Sequence, residues 1–267
     1  MSDPATEMYR LRADALSTDV GSGPELLCAH GSLMDRTMYD PQIDALSGDY
    51  RVAAYDLRAR TERFEGPYDL WDLVEDCRAV IAGLEMDQPV LAGMSMGGFV
   101  AMRFALEYPD AISGLVLIDS MAEPHDPDDV AVYREMVEEN RSEEATPQPL
   151  AEAVTQFLFG ETTREENPEL VSKWVDRWTT YSGEALYHEI GSWLDREDVT
   201  DQLRDVDIPA LVIHGEEDPS IDPEHGRHTA EALDADLAMI PEAGHTSNLE
   251  RPAPVNEAIQ EFLERVY

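Results

Sequence analysis

Lysine is almost absent from this chain, and positive charge is scarce. Lys173 is the single lysine, and 19 basic residues stand against 57 acidic ones in a chain of 267 residues, a formal net charge of −38. A surface this negative repels polyanions and anionic lipids, which excludes a nucleic-acid partner held through its phosphates and argues against docking on a membrane. Because hydrophobic residues still make up 43% of the chain, we expect a folded core.

Cysteines and long apolar runs are also scarce. Cys28 and Cys77 have no CxxC partner, so they form no disulfide framework, and we expect both to be buried small hydrophobes. Residues 1–20 lack a basic region followed by an apolar stretch, and no uncharged apolar run reaches about 18 residues. We therefore expect a soluble, cytoplasmic protein. The acidic excess resembles cytosolic proteins of salt-accumulating halophiles, with an ordinary acidic protein as the alternative.

Short apolar runs alternate with longer segments of helical spacing, which is typical of strands and helices built around a parallel sheet. The runs are residues 26–29, 51–55, 89–92, 115–118, 209–213 and 237–240. Such near-continuous apolar strands suit a sheet covered by helices on both faces. Ligands of open α/β sheets bind at the carboxyl ends of the strands, so polar residues that end these runs are the candidates for a site.

Strand signals stop between residues 121 and 207, where helix-like segments follow one another. We predict a helical cap there, inserted into a core of residues 1–120 and 208–267. Individually the large aromatics of the insertion are expected to be core packing, and collectively they could roof an apolar pocket. They are Phe157, Phe159, Trp174, Trp178, Tyr181, Tyr187 and Trp193.

A glycine-rich turn around Ser95 is the first motif that carries chemistry. It follows the run 89–92 and precedes the helical pattern 99–107, so it predicts a strand, a tight turn and a helix. Such a turn strains its central residue and lifts the Ser95 hydroxyl clear of the sheet, while Gly93 and Gly97 avoid collisions with neighbouring backbone. The alternative is a turn whose serine only caps the helix.

A serine nucleophile needs a base, and His245 is the predicted one. It lies in the loop after the last apolar run and precedes a helical pattern that begins at Pro252. His214 closes a strand and is expected to be a buried, hydrogen-bonded core residue. Surface positions are expected for His125, His188, His225 and His228.

The base needs a carboxylate to orient it, and Asp218 is the predicted one because it comes just after the run 209–213. On position alone, Glu216, Glu217 and Asp222 compete with it. Two backbone N–H groups must also face the oxygen on which charge develops. We predict the N–H of Met96, at the positive end of the helix after Ser95, and that of Ser32, after His30-Gly31.

These motifs together resemble the α/β-hydrolase fold superfamily over nearly the whole chain, in the family's order of serine, aspartate and histidine. The amino-acid sequences of residues 30–33, 38–42 and 93–98 are similar to those of small cofactor-free esterases and of enzymes like 3-oxoadipate enol-lactonase. The resemblance implies a mostly parallel central sheet flanked by helices, with a helical cap. It also implies no cofactor and no metal.

One segment departs from the family pattern. Related enzymes usually carry Asp-x-Arg-Gly-x-Gly where this chain reads Asp56-Leu57-Arg58-Ala59-Arg60-Thr61, so both glycines are replaced. That turn supports the neighbourhood of the nucleophile, and its replacement puts the local loop geometry in question.

The leading functional hypothesis is a serine hydrolase that cleaves a small carboxylic ester or lactone. The same residues also serve acyl transfer, C–C bond hydrolysis or perhydrolysis, and a hydrolase-fold binding protein is the alternative from another class. Arginines that could receive a substrate carboxylate, or pair with surface acids instead, are Arg36, Arg134, Arg141, Arg164 and Arg177.

Overall fold

The computed structural model describes residues 16–267. Residues 1–15, which belong to the predicted core unit and to the segment 1–20 considered in the sequence analysis, lie outside that range. Seven strands form one sheet in the order β1-β3-β2-β4-β5-β6-β7. They are β1 (Ser17–Val20), β2 (Glu25–Ala29), β3 (Arg51–Tyr55), β4 (Val90–Met94), β5 (Gly114–Ile118), β6 (Ala210–Gly215) and β7 (Asp236–Ile240). The six predicted strands are confirmed to within two residues at each end.

The first strand was not predicted. Strand β1 is four residues long, largely polar, and pairs antiparallel with β3 at one edge of the sheet. All other pairings are parallel. An edge strand with one partner needs no continuous apolar run, so the pattern that identified the other six strands does not mark it.

Twelve helices of the described range accompany the sheet. They are α1 (Asp40–Leu46), α2 (Leu70–Gly83), α3 (Met96–Glu107), α4 (Pro127–Asn140), α5 (Gln148–Leu158), α6 (Glu161–Glu166), α7 (Pro168–Trp178), α8 (Gly183–Gly191), α9 (Thr200–Leu203), α10 (Pro223–Leu233), α11 (Ser247–Glu250) and α12 (Pro252–Val266). Helices α4 to α9 all lie between β5 and β6. Within residues 16–267, no helix is long and apolar enough to cross a membrane.

The core has two apolar layers, one on each face of the sheet. Successive strand residues point to opposite faces, so Leu27 packs with α2 and α3 while Leu26 packs with α1 and α12. Burial on both faces explains the near-continuous apolar strands. Cys28 and Cys77 are free and buried within these layers, as expected.

Candidate active site

Ser95 lies in the tight turn between β4 and α3, at the carboxyl edge of the sheet. Its backbone has φ 48° and ψ −115°, a strained conformation for a residue with a side chain. A Cβ at Gly93 would overlap the backbone of Gly97, and one at Gly97 would overlap the carbonyl of Ala29. Both glycines are therefore required by the close approach of backbone around Ser95.

The structure brings the three predicted side chains into one hydrogen-bonded line. His245 Nε2 lies 3.0 Å from Ser95 Oγ, and His245 Nδ1 lies 2.8 Å from Asp218 Oδ2. Asp218 and His245 are only 8% and 3% exposed, so water does not compete strongly for these contacts. In this arrangement the Nδ1–H donates to the carboxylate and leaves Nε2 free to accept the serine proton.

The charges of this line stabilise one another. Burial lowers the pKa of His245, but the charge of Asp218 and its hydrogen bond outweigh burial and hold that pKa above its ordinary value. Burial raises the pKa of Asp218, but the charge of His245 and hydrogen bonds from His214 and His245 lower it to about 2. Asp218 is thus ionised, and it favours the protonated form of His245.

None of the three competing acids takes the place of Asp218 beside His245. Glu217 accepts hydrogen bonds from the N–H and hydroxyl of Thr162, at 2.9 and 2.5 Å. Asp222 caps α10 by accepting the N–H of Glu224 at 2.9 Å, and Glu216 is exposed. The second oxygen of Asp218 accepts the N–H groups of Ser220 and Ile221 at 2.8 and 3.0 Å, which fixes its carboxylate.

His214 is fully buried and hydrogen-bonded, as expected, but it also lies against Asp218. Its Nε2 is 3.0 Å from the carbonyl of Ile221 and 3.1 Å from the same Asp218 oxygen that accepts from His245. Asp119 adjoins the pair and ties two site loops together, by accepting the N–H groups of Gly215 at 2.8 Å and Ser247 at 2.9 Å. The sequence analysis predicted none of these contacts.

Glu250 was also missed, and it holds the loop that carries His245. Its carboxylate accepts the N–H of Gly244 and the N–H of Thr246, both at 3.0 Å, from the residues on either side of His245. It also accepts the N–H of Gly160 at 2.9 Å, which links this loop to the segment between α5 and α6. In so acidic a chain, nothing in the sequence distinguishes this buried glutamate from a surface one.

The two predicted N–H donors adjoin Ser95. Met96 is the first residue of α3, so its N–H has no acceptor within the helix. The Ser32 hydroxyl lies 3.4 Å from Met96 Sδ and accepts from Trp193 Nε1 at 2.9 Å. Their role toward a substrate oxygen stays a prediction.

The segment that departs from the family pattern is tied down by ion pairs instead of glycines. Arg60 donates to Glu189 Oε2 at 2.9 Å, and the same oxygen accepts the N–H of Leu33, next to Ser32, at 3.2 Å. Both Arg60 and Glu189 are nearly fully buried. A buried pair between the core and α8 therefore supports the loop beside Ser95.

A small apolar cavity of about 60 Å³ lies over Ser95 and His245. Its apolar lining includes Phe99, Tyr133, Met136, Val154, Phe157, Ile190 and Trp193. Of the predicted aromatics, Phe157 and Trp193 line this cavity, while Trp174 and Trp178 are core residues. Tyr133 was not singled out from the sequence.

The expected surface position of His125 is wrong, because its side chain lines this cavity. Arg196 lies 3.2 Å from His125 Nδ1, and a guanidinium can only donate, so the neutral ring carries its proton on Nε2. Burial and the charge of Arg196 lower the pKa of His125 to about 3, which keeps the ring neutral. His125 is thus a polar group within an apolar wall.

None of the five candidate arginines lines this cavity. Arg36 pairs with Asp56, Arg134 with Asp195 and Arg177 with Asp35. Arg164 donates to Gln156, and Arg141 lies over the ring of Tyr187.

Among residues 16–267, two groups of side chains have the composition of a metal site. Asp119, His214 and Asp218 form one, but their atoms are committed to the hydrogen bonds around His245. Glu123, His225 and His228 form the other, and none of these three residues lines the cavity over Ser95.

The chain is similar in sequence to known alpha/beta hydrolases. A family model described as the alpha/beta hydrolase family matches residues 26–258. 3-Oxoadipate enol-lactonase 2 of Acinetobacter baylyi is 26% identical over 244 residues, covering 91% of this chain and 89% of the relative. Non-heme haloperoxidase of Rhodococcus erythropolis is 26% identical over 265 residues, covering 92% and 94%.

A solved structure of a thermophilic esterase from Thermogutta terrifontis is 31% identical, with a TM-score of 0.87 over 94% of this chain and 93% of that one. The family match spans most of the chain, and the fold, with its mostly parallel sheet flanked by helices, agrees with it. The chain belongs to the alpha/beta hydrolase family and is a hydrolytic enzyme.

Proposed function

We propose that the protein is a serine hydrolase that cleaves a carboxylic ester or lactone through an acyl-enzyme intermediate. The observation that carries the proposal is the line from Ser95 Oγ to His245 Nε2 at 3.0 Å and from His245 Nδ1 to Asp218 at 2.8 Å. A nucleophile, a base and an orienting carboxylate in this order are what acyl transfer from an ester requires. Similarity to an esterase and to an enol-lactonase supports the same reaction class.

The first half of the reaction acylates Ser95. Its hydroxyl proton passes to His245 Nε2 as Oγ bonds to the substrate carbonyl carbon, and the carbonyl oxygen becomes an oxyanion. The N–H groups of Met96 and Ser32 receive this oxyanion, and each such donor is typically worth ~100–1,000-fold in rate. The tetrahedral intermediate then collapses, the ester C–O bond breaks, and His245 returns its proton to the leaving alcohol oxygen.

The second half repeats these steps with water as the nucleophile. His245 takes a proton from the attacking water, the bond from carbon to Ser95 Oγ breaks, and the serine recovers its proton as the acid leaves. A lactone follows the same route, with the alcohol still attached to the acyl group. The apolar lining above Ser95 favours an apolar acyl or alcohol group.

A second candidate is perhydrolysis, in which hydrogen peroxide replaces water and the product is a peracid. It is favoured by the similarity to a protein named non-heme haloperoxidase, a name that denotes peroxide chemistry. Comparing release of acid and of peracid from one ester, with and without peroxide, separates the two reactions.

The proposal is tested by assaying the purified protein in concentrated KCl against short-chain p-nitrophenyl esters and a panel of lactones. Ser95→Ala should lower kcat on the order of a millionfold, because the three groups act as a unit. Ser142→Ala, at an exposed serine, is the matched control and should leave the rate unchanged. Absence of Ser95-dependent turnover on every ester and lactone tested would overturn the proposal.

A further inference from the structure

Three side chains outside the Ser95 site converge where the segment after β5 meets α10. Glu123 lies between β5 and α4, and His225 and His228 lie near the start of α10. Residues three apart on a helix are neighbours on its surface, so the two imidazoles share one face. The proposed ester hydrolysis uses none of these residues.

The spacing of their polar atoms is not that of hydrogen bonds. The Nδ1 atoms of His225 and His228 lie 3.5 and 3.4 Å from the same oxygen, Oε1 of Glu123. One ligand atom from each of the three residues lies within 4.8 Å of the others. Bonds of about 2.0–2.1 Å from a tetrahedral zinc ion hold neighbouring ligand atoms about 3.3–3.4 Å apart, close to the distances found here.

Two polar atoms of this group are buried without a hydrogen bond, namely one of the approaching ring nitrogens and the second oxygen of the carboxylate. Among residues 16–267, neither Glu123 Oε2 nor His225 Nδ1 has a hydrogen-bond partner. Buried polar atoms without partners are uncommon in folded proteins, and an unplaced ion is one of the ordinary reasons for them. The other ring nitrogen of His228, Nε2, lies 3.6 Å from Glu224 Oε1, beyond hydrogen-bond distance, so this carboxylate adds negative charge beside the imidazole without fixing it.

We propose that Glu123, His225 and His228 bind a divalent transition-metal ion, with zinc as the best match. Two imidazole nitrogens and one carboxylate oxygen suit zinc rather than magnesium or calcium, which prefer oxygen alone. The side chains of His225 and His228 are 39% and 51% exposed, so an ion can enter from solvent and complete its shell with water.

The site would join the segment that follows β5 to a helix that follows β6. The carbonyl of Glu123 accepts a hydrogen bond from Arg196 at 2.7 Å, and Arg196 lies 3.2 Å from His125 in the cavity wall. An ion bound to Glu123 therefore stabilises the segment from which this wall begins. Its role is structural, since the ion takes no part in the steps at Ser95.

The test is isothermal titration of the full-length, chelator-treated protein with Zn²⁺ in KCl, in the presence of excess Mg²⁺. Magnesium saturates the many surface carboxylates, so only a site with nitrogen ligands should still bind zinc. We expect one Zn²⁺ per chain and a raised melting temperature. Co²⁺ should give the visible absorption of a tetrahedral nitrogen and oxygen site.

Zinc binding by substituted proteins then shows whether the ion binds at Glu123, His225 and His228. His228→Asn should weaken Zn²⁺ binding at least 100-fold, and Glu224→Gln, which removes the carboxylate behind His228, about 10-fold. Glu231→Gln, at an exposed acid on the same helix, is the matched control and should bind zinc normally. Each variant should melt like the wild type when no metal is present.

Two results would overturn the proposal: no stoichiometric zinc binding in excess Mg²⁺, or unchanged binding in a variant carrying both His225→Asn and His228→Asn. Because the readout is metal binding and not ester hydrolysis, failure here leaves the proposed function untouched.

Discussion

The floor and the roof of the cavity are built on different principles. The floor, defined as Ser95 and His245 of the lining together with Asp218 and Glu250, which hold His245 and its loop, is a set of polar groups held in place by hydrogen bonds to backbone and to one another. The roof, defined as Tyr133, Met136, Val154, Phe157 and Trp193, is carried by the segments between β5 and β6 and is mainly apolar. Polar groups set in advance stabilise developing charge, whereas apolar walls select by shape.

The two parts should therefore respond differently to substitution. A change in the floor should lower kcat, because it removes or misplaces groups that act in the transition state. A change in the roof should alter KM and the choice of substrate, because it changes the space available to the acyl group.

The largest effect is expected for His245→Ala, which should lower kcat on the order of a millionfold by removing the base. His214→Ala should lower stability but leave a rate far above that of His245→Ala, because His214 contacts Asp218 and not Ser95. Ester hydrolysis and melting temperature are measured for both. Equal losses of kcat would overturn the choice of His245 as the base.

Asp218→Asn should lower kcat by about 10⁴-fold and shift the pH profile. The pKa of His245 lies above its ordinary value, so in the wild type its base form, and with it kcat/KM, is lost as pH falls through that raised pKa. Removing the Asp218 charge should move this limb to lower pH. A limb that stays in place in the variant would assign the titration to another group.

The lowered pKa of Asp218 also makes the stability of the fold depend on pH. Asp218 has a pKa of about 2 against an ordinary 3.8, so its interactions stabilise the fold above about pH 4, and this contribution is lost as pH falls toward 2. The difference in melting temperature between the wild type and Asp218→Asn should therefore shrink across that range.

Glu250→Gln should lower kcat by roughly 10–100-fold with little change in KM, because the loop around His245 loses acceptors and the imidazole shifts. Glu257→Gln, at an exposed acid on α12, is the matched control. The kcat and KM of one ester are compared across the three proteins. A change confined to KM would assign Glu250 to substrate binding and break the distinction between floor and roof.

Val154→Phe should narrow the cavity and raise KM for longer acyl esters by roughly 10-fold or more, while acetate esters are little affected. Val154 also lines a second small apolar cavity that shares Leu33, Met136 and Ile190 with the first, so the added ring would take space from both cavities. Val132→Phe, at a residue 56% exposed, is the control. A uniform fall in kcat for all chain lengths would contradict this role.

Changing the KCl concentration is expected to have the smallest effect on the geometry of the site. If the composition reflects a salt-rich cell, KCl should raise the melting temperature by about 2–4 °C for each kcal/mol of stabilisation, and activity should rise with the folded fraction. Thermal melts and kcat are measured after dialysis into dilute buffer and again in concentrated KCl. Unchanged melting would contradict the halophilic interpretation without bearing on the floor or the roof.

Sequence patterns located the floor better than the roof. Ser95, Asp218 and His245 each follow an apolar run, and parallel strands bring their carboxyl ends to one edge, so local signals sufficed to find the proposed nucleophile and the proposed base. For the carboxylate, position along the chain does not separate Asp218 from Glu216, Glu217 and Asp222. Only three-dimensional contacts separate it from Glu217, which bonds to Thr162.

Sequence patterns did not predict the roof or the contacts that support the floor, because the residues that make each contact are far apart along the chain. Glu250 reaches Gly160, Arg60 reaches Glu189, and Arg196 reaches His125. A pattern of period 2 or 3.6 reports only which face of its own element a residue occupies. It carries no information on which distant segment that face meets.

By itself the sequence determined the acidic surface, the parallel sheet and the strained turn at Ser95, because charge counts, apolar periodicity and glycine placement are local properties. The tertiary structure alone decided that Glu250 is buried beneath His245, that His125 lines the cavity, and that Glu123 meets His225 and His228. Each of these depends on desolvation and on the close approach of distant segments, and both arise only when the chain has folded.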